Sequence, residues 1–372
     1  MAQSSVQVAP VPGRVVSIDA LRGFDMFWIT GGGAIIHALA RTFPGGFTHA
    51  LDVQFHHVHW EGFHFYDLIF PLFMFIVGAV LPFSLTKYIE RGGKKRVLYR
   101  RVIKRTVLLI LLGLIYNGLL DFRFDHMRYA GVLQRIALGY FFAALIVIHF
   151  KPKGQAIWAA VLLLGYWAIM KFVPVPGYGA GVLTPQGNLA AWIDQHFLPG
   201  RFCCYTYGDN EGIISTIPAI VTVLLGAFAG HWLRTEHNQK RKVLGLTVAG
   251  VASLLVGLVW GHWFPIIKNL WTSSYVLYAG GWSLLLLALF YWIIDIKGYR
   301  RWAFFFIVIG MNPITIYVAQ RLFDFGTIAN IFVHGFIDYL GPYRLLFWVL
   351  CVVAVKWLFL YHLYRQKIFL RV

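Results

Sequence analysis

His56-His57-Val58-His59-Trp60-Glu61-Gly62-Phe63-His64-Phe65-Tyr66-Asp67-Leu68-Ile69-Phe70-Pro71 runs without a break into the apolar stretch 72–81. Several imidazoles and a carboxylate therefore stand at the entrance to a segment that continues into a bilayer. Imidazole has a reference pKa of about 6.5, so it takes and returns a proton near neutral pH. Placed where water meets hydrocarbon, such a group points to chemistry at a membrane boundary.

The remainder of the chain agrees with that setting. Of 372 residues, 59% are hydrophobic and only 13% charged, which excludes an ordinary soluble globular protein. Apolar runs of roughly 17–25 residues are long enough to cross a bilayer. Ten recur, at about 24–40, 66–86, 105–121, 131–150, 156–173, 212–233, 243–262, 275–294, 302–320 and 343–362. Backbone polar groups in hydrocarbon need partners within their own segment, so these runs predict helices. The alternating ten-residue segments of a barrel do not recur. The expected fold is all-α: a polytopic membrane protein of about ten transmembrane helices with both termini cytoplasmic. That orientation puts Lys and Arg 23 to 9 in favour of the cytoplasmic side, as the positive-inside rule requires.

The net charge of +18 follows from the same bias. Basic residues cluster in short loops, as in Lys94-Lys95-Arg96 and Arg100-Arg101, where they meet anionic lipid headgroups. No aromatic-interleaved basic groove accompanies them, so membrane lipids are expected as partners and nucleic acid is not. Residues 1–14 are polar, without an apolar core and a small-residue cleavage site, so no removable signal peptide is expected. The chain reads as a single transmembrane domain, 1–372. Two loops assigned to the external side, about 41–65 and about 174–211, exceed what a turn needs and are expected to cap the site. Trp192, Phe197 and Tyr205 in the second favour a folded cap. The partly apolar stretch 321–343 is also placed outside. Cys203-Cys204 are neighbours, which bridge only under strain, so structural or incidental thiols are expected there.

Candidate chemistry gathers at a few positions. His56, His57, His59 and His64 match no closed metal-site spacing, and few carboxylates or thiols lie near them in sequence, so no metal is expected. One of them is instead expected to act as acid, base or nucleophile. Asp67, at the start of the second span, suits either a helix N-terminus or the orienting of an imidazole. Asp209-Asn210-Glu211-Gly212 supplies carboxylates ahead of the sixth span. Lys268-Asn269-Leu270-Trp271-Thr272-Ser273-Ser274 joins the seventh and eighth, where Trp271 offers an aromatic plate and Asn269 and Ser274 offer hydrogen bonds. Carbohydrate sites use that mixture. Arg135, a turn inside the fourth span, demands a partner and is assigned to the acyl or acceptor pocket.

On the cytoplasmic side, Ser17 suits a helix cap, and Arg22 can pair with Asp19 one turn earlier. Gly31-Gly32-Gly33 lets another helix or a slender ligand approach closely, which makes Gly32 a candidate. Asn312, before Pro313, implies a kinked span that lines a cavity. Arg371 is placed to meet a phosphate or a headgroup.

Together these motifs resemble the heparan-α-glucosaminide N-acetyltransferase family, including its bacterial transmembrane members. The resemblance rests on Ser17-Ile18-Asp19-Ala20-Leu21-Arg22-Gly23, the glycine run, Trp60-Glu61-Gly62, and Asp67-Leu68-Ile69-Phe70-Pro71. It continues through Gly131-Val132-Leu133-Gln134-Arg135-Ile136, Glu211-Gly212 with Ser215-Thr216-Ile217, the segment 268–274, and Gly310-Met311-Asn312. These pieces run from the first span to the ninth. The resemblance implies transfer of an acetyl group from cytoplasmic acetyl-CoA to the amine of a glucosamine on the periplasmic face of a bacterial inner membrane. It implies the catalytic histidine three residues before Trp-x-Gly, which is His57, acting as general base or acetyl carrier. The chain departs from the family's frequent Asn before the glycine run, where Ile29-Thr30 stand, and between Trp and Gly, where Glu61 stands. Both departures bear on the acceptor. An amino-sugar transporter and an O-acetyltransferase of a cell-envelope glycan are the competing expectations, and a homo-oligomer is left open.

Overall fold

The computed structural model describes residues 15–370. Arg371 lies outside the described residues. Sixteen helices follow in chain order: α1 (Val16–Phe27), α2 (Gly33–Thr42), α3 (Gly46–Gln54), α4 (Phe65–Leu81), α5 (Lys87–Glu90), α6 (Lys95–Tyr116), α7 (Val132–His149) and α8 (Pro152–Phe172). Then come α9 (Leu189–Phe197), α10 (Thr216–Leu233), α11 (Gln239–Gly261), α12 (Ser273–Phe290), α13 (Ala303–Met311), α14 (Pro313–Leu322), α15 (Phe325–Val333) and α16 (Arg344–Arg365).

Among the described residues, seven helical segments are long and apolar enough to cross a membrane: Phe65–Glu90, Val132–His149, Pro152–Phe172, Thr216–Leu233, Gln239–Gly261, Ser273–Ile296 and Ile337–Arg365. The pair α13 and α14, bent by 71° at Asn312-Pro313, makes an eighth if it is one span. The kink read from Asn312 and Pro313 is therefore present. The other two expected spans are helical but more polar. In 16–42, Asp19, Arg22, Asp25 and His37 dilute the apolar run, and α6 carries six Lys and Arg between Lys95 and Arg105.

Close backbone approach builds the centre of the bundle. A Cβ at Gly78 of α4 would sit 1.8 Å from the Val223 carbonyl oxygen, and one at Gly226 of α10 would sit 1.8 Å from that of Phe75. Only glycine at both positions lets these helices pack so tightly, which is the small-residue packing expected between membrane helices. Leu72, Met74, Phe75, Val221 and Leu224 fill the space around the crossing. Between α1 and α2 the helix widens at Trp28–Gly32. The Thr30 carbonyl there accepts a hydrogen bond from Lys356 Nζ at 2.6 Å, which explains a lysine inside the last span.

Both long loops are folded. The first contains α3. The second contains α9 and two small antiparallel hairpins, Pro174–Val175 with Gly179–Ala180 and Cys204–Tyr205 with Gly208–Asp209. Tyr166, Met170, Val175, Leu189, Phe264, Ile267 and Leu270 form a second apolar cluster that fastens this cap to α8 and to the segment before α12. The expectation for Cys203 and Cys204 is corrected here: they form a disulfide with each other.

Candidate active site

The His57 segment is held from two sides. Glu61 pairs antiparallel with Ile267, and Gly62 N–H donates to the Ile266 carbonyl at 2.9 Å. Gly62 sits at φ 119°, a left-handed conformation that favours glycine, which accounts for the glycine of Trp-x-Gly. On its other flank, Trp60 Nε1 donates to the Leu183 carbonyl at 2.8 Å and meets the Tyr205 ring at 5.2 Å. Both long loops thus contact each other around this segment.

Asp67 performs both duties weighed for it. Its Oδ2 accepts from His64 N at 3.0 Å and from Val58 N at 3.3 Å, closing the start of α4. Its Oδ1 accepts from His57 Nδ1 at 2.7 Å. The Asp67 side chain is 1% exposed, whereas that of His57 is 50% exposed. A buried carboxylate thus holds the Nδ1–H tautomer and leaves the Nε2 lone pair on a reachable ring. The Tyr66 ring lies against the imidazole at 4.9 Å between centroids, and Tyr275 O–H donates to the Asp67 carbonyl at 2.7 Å.

Lys268 completes the group, although sequence reading assigned it no role. Its Nζ lies 2.8 Å from His57 Nδ1, 3.2 Å from Nε2 and 3.3 Å from Asp67 Oδ1. The single in-plane position of Nδ1 is directed at Asp67, so the ammonium acts as a charge beside the pair. Burial holds Lys268 below its usual pKa, while Asp67 and, at longer range, Glu211 oppose that shift. Its place as the first residue of the 268–274 motif was the available signal. The contact itself joins positions 211 residues apart.

Arg135 and Trp271 lie beneath this group. Arg135 Nη2 donates to Ser215 Oγ at 2.6 Å and to the Asn210 carbonyl at 3.0 Å, and its guanidinium lies 5.0 Å from the Trp271 ring centroid. The demand for a partner is met only in part: Nη2 is engaged by neutral oxygens, while Nε and Nη1 are buried without a hydrogen-bond partner among the described residues. Trp271 is 1% exposed, with Phe70 and Tyr275 edge-on and Nε1 donating to Thr222 Oγ1 at 3.0 Å. Its ring supports the site from below and offers no open plate, a correction to the sugar-stacking expectation. Ser274 Oγ donates to the Phe264 carbonyl at 2.5 Å and so closes the same turn, while Asn269 is partly exposed beside Lys268.

Glu211 belongs to a neighbouring ion cluster. Arg128 Nε donates to Asp209 Oδ2 at 2.7 Å, and its Nη2 pairs with both Asp209 and Glu211. Burial pushes Asp209 up, but Arg128 and the N–H groups of Glu211 and Cys203 outweigh it and hold the carboxyl below its usual range. Burial raises Glu211, and Arg128 opposes. Asp194, buried beside them, is pushed up to about 6 by burial, against the N–H groups of Ile213 and Asp209.

The remaining candidates divide. Around Gly32 the neighbours are the Phe27 and Trp28 rings, while a Cβ at Gly33 would touch the Tyr66 ring at 3.4 Å, so the glycine run reaches the site through Tyr66. Asn312 is fully buried, with Nδ2 donating to the Ile368 carbonyl at 3.0 Å and Oδ1 accepting from Leu370 N at 3.1 Å. Both polar atoms of its amide are engaged by the C-terminal tail, where the sequence reading expected them to line a cavity.

A family model described as a domain of unknown function, DUF5009, matches residues 14–125, which include His57 and Asp67. The heparan-alpha-glucosaminide N-acetyltransferase of Homo sapiens is 29% identical over 86% of this chain and 54% of its own length. That of Mus musculus is 30% identical over 73% of this chain and 49% of its own. The chain thus spans about half the length of the curated relatives it matches, and the family resemblance read from its motifs is supported.

Proposed function

We propose that this chain is a transmembrane acetyltransferase of that family type, moving an acetyl group from acetyl-CoA to the amine of a glucosamine-type sugar with His57 at the centre. The observation that carries the reading is the His57–Asp67–Lys268 group: a reachable imidazole, a buried carboxylate fixing its tautomer, and a cation beside both. The names of the two relatives supply the acetyl transfer and the glucosaminide.

The interior suits a slender, amide-bearing substrate arm. Both carboxylate oxygens of Asp25 and Nε1 of Trp28 are buried without a hydrogen-bond partner among the described residues. Trp28 packs on Phe55 and Phe65, beside the site. Buried polar groups without partners are costly, so a bound arm that satisfies them is favoured. Acetyl-CoA supplies an activated thioester carbonyl. A sugar amine attacks that carbon, a C–N bond forms and the C–S bond breaks. His57 Nε2 takes the proton the amine loses and returns one to the departing thiolate. If His57 itself attacks first, the same atoms exchange in two steps through an acetyl-imidazole. Lys268 Nζ, at the ring edge, is placed to stabilise the oxyanion.

The topology proposed with this reading has ten spans, a single domain, both termini in the cytoplasm and the folded loops on the periplasmic side of a bacterial inner membrane. Incubating purified protein with acetyl-CoA and glucosamine, and following N-acetylglucosamine by mass spectrometry, tests the chemistry. Product is expected with the native chain and not with His57→Ala. Equal product from both would reject the reading.

A further inference from the structure

We propose that His37, Asp52 and His56 form a binding site for a divalent transition-metal ion of the Zn²⁺ class, which ties the His57-bearing loop to α2. The three residues come from separate places: His37 from the second turn of α2, Asp52 from α3, and His56 from the loop one helical turn later. Sequence spacing around His56 could not show the site, because its third ligand lies nineteen positions upstream.

One donor atom from each residue lies within 4.8 Å of the other two. His37 Nδ1 is 2.6 Å from Asp52 Oδ1, His56 Nδ1 is 3.7 Å from Asp52 Oδ2, and the two rings are 4.5 Å apart between centroids. Zinc bonds of about 2.0–2.2 Å in tetrahedral geometry place donors about 3.4 Å apart, between the two shortest separations present. Small side-chain adjustments therefore suffice. On binding, His37 and His56 each shift a proton from Nδ1 to Nε2, and the Nδ1–H bonds from His37 to the Asp52 carboxylate and from His56 to the Asp52 main-chain carbonyl at 2.8 Å are replaced by bonds to metal. The Asp52 carboxyl is an anionic ligand at neutral pH.

The surroundings leave room for the ion and its remaining water. The three side chains, with Ala34, Leu345 and Val349, line a cavity of about 330 Å³. Two imidazoles and one carboxylate with an open position match zinc or a neighbouring transition metal better than Mg²⁺ or Ca²⁺, which prefer oxygen. Two groups modulate the charge: His49, within electrostatic reach of Asp52, and Arg41, which lines the cavity and opposes a cation. His56 directly precedes His57, so the clamp fixes the main chain that presents the proposed base. This inference needs no acetyl transfer to be true, and its test is independent of that reaction.

Calorimetric titration of Zn²⁺ into the chelator-treated full chain in detergent decides it, with melting temperature followed in parallel. One equivalent is expected to bind, with affinity at least tenfold weaker in His37→Gln and in His56→Gln and unchanged in His59→Ala. Zn²⁺ should raise the melting temperature of the native chain and of His59→Ala only. His56 is 61% exposed, so its variant retains the fold. X-ray absorption of the zinc-loaded native chain should show two imidazole nitrogens. Equal binding by the native chain and both Gln variants, or no binding at millimolar Zn²⁺, would overturn the proposal.

Discussion

Replacing Asp67 by Asn keeps the size of the side chain and changes only which atoms accept. In the native site the carboxylate receives His57 Nδ1 at 2.7 Å, His64 N at 3.0 Å and Val58 N at 3.3 Å, with Lys268 Nζ 3.3 Å away. An amide has one oxygen for these donors. If the oxygen turns to the backbone N–H groups, its NH₂ faces Nδ1, and the imidazole must carry its proton on Nε2, where the base is needed. If it turns to His57, its NH₂ meets the main-chain donors that start α4. The first arrangement predominates because it keeps two bonds. A wrong tautomer in such a pair costs about 10⁴-fold in kcat. Losing a charged acceptor costs about 1.5–3 kcal/mol of stability per hydrogen bond, and Lys268 is left without its counter-charge. Single-turnover acetyl transfer and thermal melting in the same detergent measure the two effects. Asp67→Asn should lose at least 10³-fold in rate while remaining folded. A folded variant within tenfold of the native rate would show that Asp67 does not set the tautomer.

Lys268→Met should lower kcat by about 10²–10³-fold, the usual cost of removing one oxyanion donor, with KM for the sugar little changed; steady-state kinetics checks the split. Arg128→Ala leaves Asp209 and Glu211 buried without their cation and should destabilise by about 3–5 kcal/mol in denaturant or thermal melts. Asp194, raised to about 6 from an unfolded value of 3.8, contributes stability in full below pH 4, and that contribution is lost as pH rises through 6. Melting temperatures of Asp194→Asn and the native chain should therefore diverge from pH 4 to 7, the variant faring relatively better at pH 7. Asn312→Ala should speed hydrogen exchange at residues 368–370 and leave KM for acetyl-CoA unchanged.

Helix positions and the contact-rich motifs were legible because periodicity and hydropathy are local properties. The Asn312-Pro313 kink and the pairing of Asp67 with an imidazole are of the same kind, since each involves residues close in sequence. What escaped was long-range. Lys268 reaches His57 only because Ile267 bridges to Glu61, and Arg128 meets Glu211 only through the folded second loop. Trp271 read as exposed because interfacial tryptophans commonly are, yet the close packing of α4, α10 and α12 buries it. Asn312 read as a cavity-lining amide because the C-terminal tail that occupies it carries no signal of its return. The hairpin at Cys204–Tyr205 and Gly208–Asp209 is too short for pattern reading to reveal.

Proteoliposomes with acetyl-CoA supplied on one side and glucosamine enclosed on the other bring topology and chemistry into one measurement. Radiolabelled acetyl should appear on the enclosed sugar at a rate that depends on His57, with no label there for His57→Ala. Enclosed sugar that crosses the membrane unmodified, or label transferred equally by the His57→Ala chain, would contradict acetyl transfer across the bilayer at this histidine.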